Sequence, residues 1–99
     1  MTAPPVLVIV RTRDPHRQAE ALRAALGLTL RGARVEVAIE GPIEASAPGD
    51  AGDVDQALAT PLARRAAATL RSFGYPVGIA TGEALAAALA RAGRVEVWT

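Results

Sequence analysis

The sequence predicts a three-layer α/β/α fold on a four-stranded parallel sheet, and three observations carry that prediction. Val6–Val10 is an apolar run rich in β-branched residues, the mark of a strand covered on both faces. Asp14-Pro15 and Thr60-Pro61 each pair a capping side chain with a proline suited to the first helical position. Strand-like and helix-like segments then alternate as β-α-β-α-β-α-β, with no internal repeat and no linker, which is the pattern of a parallel sheet.

After the first strand, Ala19, Leu22, Leu26 and Leu30 recur at helical spacing and form one apolar stripe. Gly32 ends that helix in a left-handed conformation. In the second strand Val35, Val37 and Ile39 alternate with Arg34, Glu36 and Ala38, so one face is partly wet, as at a sheet edge. Gly41-Pro42 stops it. Residues 41–59 form a long loop of Pro, Gly, Ser and Asp, with a short helical turn at Asp53–Gln56 capped by Asp53.

The next helix buries Leu62, Ala66, Leu70 and Phe73 and closes at Gly74. Val77-Gly78-Ile79-Ala80 is a third strand, apolar on both faces. Thr81 caps a further helix with Leu85, Ala88 and Leu89 inside and Gly93 at its end. Val95 and Val97 alternate with Glu96 and Trp98 as the last strand.

Doubly apolar first and third strands imply the order 2-1-3-4. Right-handed crossovers then set the first helix alone on one face and the others opposite. One helix covers about two of four strands. The remainder is shielded by Ile43, Val54 and Leu58 of the 41–59 loop or by another subunit, and a homo-oligomer is expected. A ligand crevice is expected where the strand order reverses, at Arg11–Asp14 and Ala80–Glu83.

The chain of 99 residues is read as one domain, 1–99. Its apolar half is mostly Ala, Val and Leu, with Phe73, Tyr75 and Trp98 as the aromatic residues. A formal charge of +1 offers no bulk attraction for nucleic acid or a membrane surface. Every cation besides His16 is Arg, and Lys and Asn are absent, which fits a GC-rich bacterial genome. There is no cysteine, so disulfides, thiolate nucleophiles and Cys metal sites are excluded. Met1–Pro5 lacks the features of a signal peptide, and Val6–Val10 is too short to span a bilayer, so a cytoplasmic location is expected.

Arg11, Arg13, His16 and Arg17 cluster at a helix start, where amides and guanidinium groups favour an anion. The ligand-binding candidates are Arg11, Thr12, Arg13, His16, Thr81 and Gly82. The competing expectation is that these arginines pair with Asp14 or the acidic loop and stay solvated. Catalysis by His16 needs an orienting acid and a nucleophile, and Asp14 and Glu83 are the acids in reach. Glu44, Asp50, Asp53 and Asp55 miss the calcium-loop spacing, and Ser46 and Ser72 lie outside any G-x-S-x-G context. No catalytic residue, metal or cofactor is expected, and the chain is read as a non-enzyme.

Several segments together resemble the DsrE/DsrF superfamily, which includes small sulfur-relay subunits. They are the first strand with its Asp-Pro helix start, the helix closing at Gly32 and the V-x-V-x-I strand. Gly41-Pro42-Ile43, the Leu70-Arg71-Ser72-Phe73-Gly74 helix end and the Val77-Gly78-Ile79-Ala80 strand complete the set. The resemblance implies a DsrE-like α/β/α fold and assembly into homo- or hetero-oligomers. In sulfur-carrying members a cysteine follows the third strand, and the matching positions here are Ala80 and Thr81. The implied role is therefore a non-catalytic oligomeric subunit or the partner of a sulfur-transfer protein. The alternative is a small-molecule or anion-binding domain using the Arg11–Arg17 turn.

Overall fold

A computed structural model describes residues 3–40, 51–80 and 82–99. The elements run β1 (Val6–Val10), α1 (Pro15–Leu30), β2 (Val35–Glu40), α2 (Ala51–Ala57), α3 (Pro61–Ser72), β3 (Val77–Ala80), α4 (Gly82–Arg91) and β4 (Arg94–Trp98). All strands are parallel, and helices cover both faces of the sheet. The expected α/β class and the four-stranded parallel sheet are therefore present.

The helix boundaries follow the signals in the chain. Asp14 caps α1 and Thr60 caps α3, each ahead of its proline. Gly32 and Gly74 take positive φ angles of 86° and 89°, where a Cβ is strained, so the chain reverses just past each helix. After α3, Tyr75 N–H reaches back to the Leu70 carbonyl and Gly74 N–H to that of Arg71, which satisfies two carbonyls at the helix end.

The strand order is 3-2-1-4 rather than 2-1-3-4. β1 is central and beside β2, and β4 is an edge, as expected. β2 is central, however, and β3 lies at the far edge. The chain steps from β1 to β2 to β3 in one direction and then returns past both to β4. Right-handed crossovers accordingly set α1, α2 and α3 on one face and α4 alone on the other.

On the three-helix face, Val8, Val10, Val35, Val37, Ile39, Val77 and Ile79 meet Leu22, Val54, Leu58 and Leu70 in the main core. On the α4 face, Leu7, Ile9 and Ala38 meet Ala88 and the half-buried Leu85. Val54 and Leu58, expected to cover the open part of the single-helix face, pack instead on the face that holds α1 and α3. Ile43 lies outside the described residues.

Small residues, more than large ones, make the helix contacts. α3 buries Ala63, Ala66, Ala67 and Leu70, whereas Leu62 and Phe73, expected inside, are exposed. Leu30, expected on the α1 stripe, sits at the helix end and is 84% exposed. Leu89 of α4 is also largely exposed. Alanine permits close approach of helix and sheet, and that shifts each buried stripe by about one residue from the leucine pattern.

Candidate functional site

The turn after β1 is tied down at several points. Arg11 and Thr12 N–H groups both donate to the Trp98 carbonyl, at 2.8 and 3.0 Å. Thr12 Oγ1 accepts from Asp14 N–H at 3.1 Å. Asp14 Oδ1 accepts from His16 and Arg17 N–H at 2.9 and 3.4 Å. A carboxylate of the chain itself therefore occupies two of the first-turn amides of α1. Asp14→Ala is expected to lower stability by about 1 kcal/mol through loss of this cap, measured by urea unfolding.

Arg11 Nε donates to Glu40 Oε2 at 2.8 Å across the carboxyl ends of β1 and β2. Arg17 Nε donates to the Thr99 carbonyl at 2.7 Å, and its guanidinium carbon lies 5.7 Å from the Trp98 ring centre, within cation–π range. Arg13 and His16 are exposed.

The candidate residues are thus divided. Arg11, Thr12, Arg13 and His16 share the β1–α1 turn. Gly82 starts α4, which packs on the opposite face of the sheet. β2 stands between β1 and β3, so their ends are two strand spacings apart, about 10 Å. In the observed order 3-2-1-4 the strand order reverses between β1 and β4, so the topological switch point lies at the carboxyl ends of those two strands, beside the Arg11–Asp14 turn, and not at β2 and β3. The segments leaving β2 and β3, residues 41–50 and Thr81, lie outside the described residues, as do Glu44, Ser46 and Asp50. Among the described residues no three His, Asp or Glu side chains come together as a metal-binding group.

Gln18 was not among the candidates, yet it is the one buried polar side chain among the described residues, 4% exposed. Its Nε2 donates to the carbonyls of Thr12 and Ala57, both at 3.1 Å, and its Oε1 accepts from Ala59 N–H at 2.9 Å. It fastens the β1–α1 turn to the link between α2 and α3. The available signal was its place four residues before Leu22 and seven before Ala25, on the buried stripe.

Among the described residues, concavities flank both α1 and α4. One, about 240 Å³, lies between α4 and the β2–β3 half of the sheet, lined by Ala38, Gly78, Ile79, Leu85 and Ala88. In its wall Arg91 Nη2 donates to Glu36 Oε2 at 3.0 Å and Arg91 Nε to Glu36 Oε1 at 3.3 Å. The Glu36 carboxylate raises the Arg91 guanidinium above its ordinary value, by hydrogen bonding first and by charge second. The other, about 350 Å³, lies above β4, between Ala24, Gly27 and Leu28 of α1, with Arg31 just past its end, and Glu96 and Trp98 of the strand.

No helix among the described residues is long and apolar enough to cross a membrane. Comparison with protein-family models, with curated proteins and with solved structures finds no match.

Proposed function

We propose that this protein is a non-catalytic, DsrE/DsrF-like subunit that acts through assembly with copies of itself or with a sulfur-transfer partner. The observation that carries this reading is the surface left open on the single-helix face. Val95 and Val97 of β4 are 42% and 51% exposed there, and Leu89 of α4 is exposed on the same side of the molecule's sheet. Exposed apolar side chains gathered on one face commonly mark a contact site. The absence of any thiol argues against persulfide transfer by this chain itself.

Sedimentation equilibrium at micromolar concentration tests the reading. A mass well above the 10.2 kDa of one chain is expected, either alone or after addition of a cysteine-bearing DsrE-like subunit. A single species at the chain mass under both conditions overturns it.

A further inference from the structure

We propose that two copies of this chain join through the outer edges of β4, in antiparallel register about a two-fold axis at Val95, to form a continuous eight-stranded sheet. The inference deepens the assembly reading above and rests on it.

The two edges of the sheet differ. In a parallel ladder the peptide groups of successive residues point alternately to the two sides. Val37 N–H bonds the Pro76 carbonyl, so the Val77 carbonyl faces outward from β3. Arg71 covers it, donating from Nε at 3.1 Å and from Nη2 at 2.6 Å. A side chain therefore occupies that outward carbonyl.

At β4 the Trp98 carbonyl turns inward to Arg11 and Thr12, so the peptide groups of Val95 and Val97 face outward. Among the described residues no hydrogen bond reaches them. β4 is also poorly covered on both faces. Its two valines are half exposed on one side, and the concavity over Glu96 and Trp98 flanks it on the other. An open strand edge with apolar neighbours is a template for another strand.

Charge identifies the second strand as β4 itself. Arg94 and Glu96 flank Val95 on the α1 side and already pair with each other at 2.8 Å, which shows that both reach along the edge. With the axis at Val95, Arg94 lies opposite the partner's Glu96, and Glu96 opposite the partner's Arg94. The two Val95 side chains meet on the α4 side, where the valines are most exposed. Shifting the axis to Glu96 sets the two Glu96 carboxylates against each other, and like charges directly opposed disfavour that register. An edge that is complementary to its own antiparallel copy closes into a dimer and leaves no free end for further addition.

Charge exchange tests the register. Wild-type protein is expected to sediment at twice the chain mass. Arg94→Glu alone and Glu96→Arg alone each turn both cross-strand attractions into repulsions, and each is expected to weaken self-association about tenfold or more. Mixed in equal amounts, the two variants regain opposite charges across the edge and form a heterodimer of near wild-type affinity. Val95→Pro removes only an outward N–H, a change that an edge strand tolerates, and is expected to give a folded monomer by circular dichroism. If both charge variants self-associate as tightly as wild type, the β4 edge is not the contact, although the assembly reading stands. A wild type that is monomeric alone defeats the β4 dimer, and the assembly reading falls with it only if the chain also stays monomeric beside the cysteine-bearing subunit.

Discussion

Gln18→Leu is expected to lower the stability of the fold by about 3 kcal/mol. Leucine has a similar volume, so the loss is not one of packing. It removes the partners of Ala59 N–H and of the Thr12 and Ala57 carbonyls, all held by one amide in a part-buried setting. Each buried group left without a partner costs about 1–3 kcal/mol, and some of that returns where water can enter. Against a total of about 5–15 kcal/mol for a domain, the change is large. Gln18→Glu sets a buried carboxylate against the Thr12 and Ala57 carbonyls, so at neutral pH it is expected to cost at least as much as leucine. Urea unfolding followed by circular dichroism measures both. A loss below about 1 kcal/mol for Gln18→Leu means that the three bonds do not hold the turn to the α2–α3 link.

Leu22→Ala is expected to cost about 3 kcal/mol, while Leu30→Ala changes stability by less than about 0.5 kcal/mol. Leu22 is fully buried between α1 and the sheet, and its removal leaves a void that close-packed strands cannot readily collapse into. Leu30 belongs to the same sequence stripe, yet stands almost free at the end of α1. The contrast between two leucines of one helix separates the apolar pattern from actual burial. Equal losses in urea unfolding contradict the placement of α1 on the sheet.

The apolar β1, the Asp14-Pro15 and Thr60-Pro61 starts, and the Gly32 and Gly74 ends were all legible, because each signal acts within a few residues of the element it bounds. The candidate site was legible only in part. Arg11, Thr12, Arg13 and His16 are neighbours in sequence and stay neighbours in space. Gly82 and Thr81 were joined to them through an assumed strand order, and that assumption failed at β2 and β3.

By itself the sequence determined the class of fold, the parallel sense of the strands and every element but α2, which it read as one helical turn inside a loop, through capping and periodicity. It also excluded thiol chemistry, since no arrangement of residues supplies a missing thiol. Only the tertiary structure decided the order of the strands. Glu36 marked β2 as an edge by its charge, yet the strand is central, because the single-helix face leaves room for Arg91 to fold across and pair with that carboxylate. β3 looked central because Gly78 and Ala80 carry no charge, yet it is an edge, where small side chains need little cover. Alternation reports whether a side chain meets solvent. In a sheet with one sparsely covered face, solvent reaches a central strand as well as an edge, so exposure and edge position are no longer the same property.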